Sequence, residues 1–330
     1  MILILSQSIQ EQTTEEVIDW IIYRGGVFKR LNGDFFLEGK YELKATLLDT
    51  EIKVNLEGFN LNDCNIVWHR RWMSSTYTFK DDLNSLKVNQ SVAANLKNTL
   101  LQELRVAKNF CFRPLVDKKW LPAIKSAFVD KIDVLRKAQL VGLNIPESLV
   151  TNSRRALTKF FETYSEIITK PLFETSFFED EGILYSYYTK KLTLQNINEL
   201  PEIFAISFFQ KNIQKFIEIR TFFLENEFFS MAIFSQNDKK TQTDFREYNS
   251  SNPNRTVPFK LDSEVERKLF LLLKELDLNT GSIDLILNTE NQIIFLEVNP
   301  VGQLGMTSRP CNYLLEKKIA QFLINNDTIC

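Results

Sequence analysis

The chain opens on an uninterrupted apolar run, Ile2 to Leu5, which predicts a short strand buried on both faces, as in a parallel sheet. The next segment, TEEVIDWIIYRGG, places apolar residues at helical spacing, with Thr14 as expected N-cap and Gly25 as stop. Alternating patterns then predict strands in DFFLEG, YELKATLLD, EIKVNLEGFNL and NIVWHRRW. From about Asn84 to Phe112 the spacing turns helical again, so residues 1–118 read as a small α/β unit.

A second unit, 119–205, contains DKIDVLRKAQLVGLNIP, a helix with Asp130 as N-cap, Gly142 as stop and Pro146 beyond. A helix over 150–164, started by Asn152 or Ser153, and a short strand EIITKPL follow. The Phe- and Tyr-rich stretch 173–192 predicts a hairpin, with docking of a peptide there as a secondary reading. The third part, 206–330, begins with a bend and two antiparallel strands turning near Glu225-Asn226. A polar stretch without periodicity, 237–258, is the length of loop that usually carries function. Ser263 and Glu266 form an S-x-x-E pattern that predicts a capping box and a helix to about Leu276. Two strands, SIDLILN and QIIFLEVN, and an amphipathic helix near 312–325 end the chain.

Composition narrows the chemistry. Forty basic and 42 acidic residues leave a net charge of −2, which gives no footprint for nucleic acid. With a single histidine, His69, a histidine-built metal site or a Ser-His-Asp triad is disfavoured, and the residue reads as packed. Neither GxGxxG nor GxxxxGK[ST] occurs, so the two commonest glycine-rich phosphate loops are absent. The four cysteines show no C-x-x-C spacing, which suits reduced thiols and a cytoplasmic protein. No apolar run approaches the roughly 18 residues of a membrane span.

The last hairpin is the most informative stretch. Centring its turn on Glu290-Asn291 sets Asp284 opposite Glu297, with Asn299 two residues on along the same face. Directly opposed carboxylates sit about 5 Å apart and repel by about 3 kcal/mol at an effective dielectric of 20. A cation between them removes that cost, and oxygen-only ligands point to Mg²⁺. The alternative is a solvated strand face whose register is one residue off.

Here the chain resembles the ATP-grasp ligases, in which an Asp on one strand and an E-x-N on the next bind the magnesium of Mg-ATP; the matching residues are Asp284, Glu297 and Asn299. The resemblance further implies Lys131 of DKIDVLRKAQLVGLNIP and Lys170 of IITKPL as phosphate contacts. It implies Gln210, Lys211 and Ile213 of QKNIQKFIEIR as the adenine hinge, Glu218 as the ribose acid and Arg220 as a phosphate partner. A narrower resemblance, carried by NTGSIDLI, FLEVNPVGQLGM, CNYLLEKKIA, TDFREY and WHRRW, is to the graspetide synthetases, closest to the grasp-with-SPASM subgroup. These join Asp or Glu side chains of a ribosomally made precursor peptide, built of leader and core, to Thr or Ser hydroxyls or Lys amines. The resemblance implies an N-terminal α/β domain with central and C-terminal ATP-grasp subdomains, ATP and Mg²⁺ as cofactors, and a homodimer. It makes Asp244 and Arg246 a D-x-R element that meets the acceptor peptide; Arg70 and Arg71 of WHRRW are candidates to face the cleft between units. A ligase of small amino acids, a kinase of the same fold and a non-catalytic nucleotide-binding module stay open as alternatives.

Overall fold

The computed structural model describes residues 1–9, 11–48, 51–72, 87–123, 129–173, 177–180, 183–186, 189–238, 241 and 251–328. The chain forms two compact units, 1–124 with 314–330, and 125–313.

In the first unit, β1 (Ile2–Ser6) leads into α1 (Gln12–Tyr23), β2 (Phe28–Asn32), α2 (Gly33–Leu37), β3 (Leu43–Leu48), β4 (Glu51–Leu56), β5 (Phe59–Asn60), β6 (Ile66–His69), α3 (Gln90–Cys111) and β7 (Lys119–Leu121). β2, β1, β6 and β7 form a parallel sheet, which explains the unbroken apolar run of β1. β3, β4 and β5 form a separate antiparallel meander. Three sequence expectations shift. DFFLEG, expected as a strand, contributes the short helix α2. Thr14 lies inside α1 rather than at its cap, its hydroxyl bonded to the Glu11 carboxylate. Trp120, read as the start of a new unit, belongs to β7 and pairs with Val67.

His69 ends β6 beside Trp120, buried, and its Nδ1 has no hydrogen-bond partner among the described residues. Burial pushes its imidazole down to about 3, with Lys108 and Arg70 adding to the effect. The folded chain thus holds this group neutral where the unfolded chain protonates it. Its contribution to stability is therefore intact above pH 6.5 and declines as pH falls toward 3. In urea titrations the wild-type midpoint should fall more steeply between pH 6.5 and 5 than that of His69→Gln. Parallel slopes would overturn this reading. Nearby, Arg70 Nε and Arg71 Nε lie 3.9 and 3.5 Å from the Glu11 carboxylate. Burial raises the Cys64 and Cys111 thiols to about 11, which leaves them inert.

The second unit runs α4 (Lys131–Leu140), β8 (Ser148–Ser153), α5 (Arg154–Tyr164), β9 (Ile167–Lys170), β10 (Phe177–Asp180), β11 (Ile183–Ser186), β12 (Lys190–Leu192), α6 (Leu194–Asn198) and β13 (Ile203–Lys211). It continues with β14 (Lys215–Leu224), β15 (Glu227–Phe234), β16 (Arg255–Phe259), α7 (Ser263–Glu275), β17 (Thr280–Asn288), β18 (Ile293–Asn299) and α8 (Gly305–Cys311). Asp130 caps α4 through Ile132 N and Asp133 N, and Gly142 takes the left-handed conformation (φ +83°) that ends it. β12, β9, β13 and β8 make one antiparallel sheet; β16, β15, β14, β17 and β18 make a second. β10 and β11 form the expected hairpin. The strand β8 occupies residues expected to be helical, and Ser153 caps α5 behind it. Asp262, not Ser263, caps α7, and Glu266 pairs with Lys260 instead of closing a capping box. Leu135, Ala138, Leu269, Leu272, Phe223, Leu285 and Phe295 pack α4 and α7 against the second sheet.

The closing helix α9 (Leu315–Asn325), expected in the third part, packs on α1 in the first unit. The Met1 amino group pairs with Asp327 just beyond it.

Candidate active site

The carboxylate hairpin forms with the expected facing pair: Asp284 lies opposite Glu297 and Ser282 opposite Asn299. It does so by two compensating departures. The turn spans three residues, 289–291, with the Asn288 side chain accepting from Glu290 N and Gln292 N. Leu285 pairs with Phe295, so Leu296 is an extra residue that restores the register before Glu297.

On the other side of β17, β14 sets Arg220 opposite Asp284, and Arg220 Nη1 donates to Asp284 Oδ1 at 2.9 Å. Glu297 receives two cations from other elements. Lys131, at the first turn of α4, brings Nζ within 3.6 Å of Glu297 Oε2. Lys170, the last residue of β9, brings its Nζ within 3.8 Å of the same oxygen. Lys131 Nζ also donates to the Pro171 and Phe173 carbonyls, at 3.1 and 3.0 Å, tying α4 to the chain that leaves β9.

These groups border a cavity, open to solvent, between the two sheets of this unit. Lys170, Gln210, Lys211, Ile213, Glu218, Asp284 and Glu297 all line it. Pro146, Ile168, Ile233, Ile286 and Leu296 add apolar wall, the surface a planar base needs. Gln210 is buried, its Nε2 donating to Ser148 Oγ at 2.9 Å. Lys131 joins the site through Glu297 and Arg220 through Asp284, while Asn299 follows two residues along the same strand face. Asp244 and Arg246 lie outside the described residues.

Lys215 is a charged cavity residue that sequence reading missed. Its Nζ donates to Glu218 Oε1 at 2.9 Å, and Ser235 Oγ donates to the same oxygen at 2.6 Å. Residues three apart on a regular strand face opposite ways. A register shift between Lys215 and Ile217 turns the lysine toward Glu218.

The donor set suits a hard divalent cation. Among the described residues no three His, Cys, Asp or Glu side chains cluster as a self-sufficient metal site. Two carboxylates and a carboxamide instead leave coordination positions for phosphate oxygens and water, the usual arrangement for Mg²⁺.

No family model and no curated protein matches the chain. Solved structures do. An ATP-grasp ligase from Chryseobacterium gregarium, RiPP-associated and complexed with ADP and a leader and core peptide, superimposes with a TM-score of 0.83 at 22% identity, over 99% of this chain and 98% of that one. Macrocyclase MdnC from Microcystis aeruginosa MRC, bound with precursor peptide MdnA, gives 0.77 at 25% identity over 98% and 99%. The ATP-grasp ligase PsnB, complexed with minimal precursor, Mg and ADP, gives 0.75 at 16% identity over 99% and 97%. The chain has the ATP-grasp fold.

Proposed function

We propose that the protein is an ATP-dependent peptide ligase that closes side-chain ester or amide links in a precursor peptide. The observation that carries this reading is the convergence of Lys131, Lys170 and Arg220 on the facing carboxylates Glu297 and Asp284 at the edge of the cavity between the two sheets. Full-length superposition on ligases solved with leader, core or precursor peptides supports the substrate class.

The chemistry follows from a barrier. A carboxylate is a poor electrophile toward a hydroxyl or amine. Transfer of the γ-phosphoryl group to an Asp or Glu side chain of the peptide gives an acyl phosphate and ADP. Attack by a Thr or Ser hydroxyl, or a Lys amine, then forms the ester or amide; phosphate leaves and one proton is released. Asp284, Glu297 and Asn299 would hold magnesium, which supplies charge neutralisation on the phosphoryl oxygens. Lys170, Lys131 and Arg220 are placed to neutralise the rest of the charge on the transferring group. Such catalysis is mostly positioning and electrostatics, so the neutral, buried His69 is no obstacle to it. Gln210, Lys211 and Ile213 would frame the adenine. Arg246 would hold the peptide carboxylate and Asp244 would accept the nucleophile's proton. We place the enzyme in the cytoplasm as a homodimer on the resemblance alone; among the described residues no helix is long and apolar enough to cross a membrane.

Incubated with Mg-ATP and its precursor, the enzyme should yield ADP and phosphate, and the peptide should lose one water per linkage. Fragmentation should place each loss across an acidic side chain and a Thr, Ser or Lys. Mild base should reopen esters and spare amides. A stable gain of phosphate on the peptide would favour a kinase, and an added amino acid would favour a small-molecule ligase.

A further inference from the structure

Ser282 of β17 is fully buried, and its Oγ makes no hydrogen bond among the described residues. A buried hydroxyl left without a partner is destabilising, so serine here needs a reason that alanine would not. Space explains only the size of the side chain. Gly302 stands so close that a Cβ there would overlap Ser282 Oγ, which keeps residue 282 small but does not call for an oxygen.

The ladder points to the partner. Ser282 pairs with Phe222 of β14 on one side and with Asn299 of β18 on the other. Phe222 is a buried ring with no polar atom on its side chain. Along β17, the neighbours on the same face are already bonded: Thr280 Oγ1 donates to the Phe223 carbonyl at 2.9 Å, and Asp284 Oδ1 accepts from Arg220. Asn299 is the polar side chain directly opposite. Residues so paired share a face, with Cβ atoms about 4.5–5.5 Å apart, which a serine hydroxyl and an asparagine carboxamide can span.

A carboxamide has two ends of nearly the same shape. Only Oδ1 can ligate a hard cation; Nδ2 only donates. Such a ligand gains from a neighbour that selects its orientation, as a metal-bound histidine does from the acceptor on its other nitrogen. We propose that Ser282 is a positioning residue: its Oγ accepts from Asn299 Nδ2 and so turns Oδ1 to the face shared with Asp284 and Glu297. The proposal rests on the magnesium reading of those three residues and adds to it what orients the third.

The test is titration calorimetry of ADP into the full chain, once with Mn²⁺ as the probe cation and once with a chelator. The ratio of the two affinities measures what the metal contributes. Loss of an outer partner weakens metal binding by about 10- to 100-fold, so Ser282→Ala should lower this ratio about 10-fold and leave ADP binding in chelator unchanged. A carboxylate has two equivalent oxygens and no end to select. In an Asn299→Asp background the same substitution should therefore leave the ratio as it was. Melting of metal-free Ser282→Ala should match or exceed wild type, because the hydroxyl removed had no partner there. An equal loss in both backgrounds, or no loss in either, would overturn the proposal. A wild-type ratio of one, or an Asn299→Ala variant that keeps the wild-type ratio, would instead overturn the magnesium reading beneath it.

Discussion

Replacing Glu297 by glutamine should lower Mg-dependent turnover about a thousandfold, the scale of losing one preorganised electrostatic contact in a phosphoryl-transfer site. The substitution keeps shape and removes one charge. Its effect on nucleotide binding without metal should have the opposite sign. Lys131 and Lys170 both sit within 4 Å of Glu297 Oε2, at 3.6 and 3.8 Å, so the carboxylate occupies the cations that a triphosphate would use. With glutamine in place the site gains a net positive charge. ATP in the presence of a chelator should then bind at least as tightly as to wild type. Single-turnover ADP release and calorimetry measure the two quantities separately. Retained Mg-dependent turnover would remove Glu297 from the metal site. Weakened metal-free binding would show that its two lysines do not meet phosphate.

Gly302→Ala should destabilise the second unit and loosen the strand pair that carries Asp284 and Glu297. Gly302 N donates to the Asn299 carbonyl at 3.1 Å, closing the turn that leaves β18. A Cβ there would overlap Ser282 Oγ and Cβ and lie 3.0 Å from Ser282 N. Ser282 is fully buried and stands opposite Asn299 in the ladder, so the displaced atoms belong to the strand pair that carries Asp284 and Glu297. Overpacking of this kind costs about 1–3 kcal/mol, and one of the contacts is backbone, which cannot rotate away. The melting temperature should fall by several degrees, on the scale of about 2–4 °C per kcal/mol for a unit this size. Ser282→Gly in the same chain removes two of the three contacts and should recover part of the loss. Wild-type stability for Gly302→Ala alone would contradict the packing.

The site was legible in the sequence where chemistry and strand period coincide. Asp284, Glu297 and Asn299 alternate on their strands, and their pairing survives because the longer turn and the extra residue Leu296 cancel. A reading that assumed a regular hairpin reached the right pair through an irregular one. Lys131 and Lys170 were legible because each stands at an element boundary that sequence marks clearly: the Asp130 cap, and the Pro171 after β9. Lys215 was not, because the bulge that aims it leaves no trace in the alternation of KFIEIR. Element type failed where signals were short. Five residues around the Phe35-Phe36 pair form a helix with too few turns to show a period. β8 was absorbed into the helix that follows it, since Asn152 and Ser153 serve a strand end as readily as a cap. The membership of α9 could not be read at all. Amphipathic spacing shows that a helix buries one face, not which unit supplies the surface.

That helix has a consequence for how the protein is made. Ile21 of α1 is fully buried, and the Ile324 side chain of α9 lies within contact range of Gly26, just after α1. A ribosome that has translated residues 1–313 has therefore supplied all of the second unit but not the helix that packs on α1 in the first. Domains generally fold as units in the order of synthesis. Here that order is inverted: the first unit leaves the exit tunnel ahead of the second and completes its core after it.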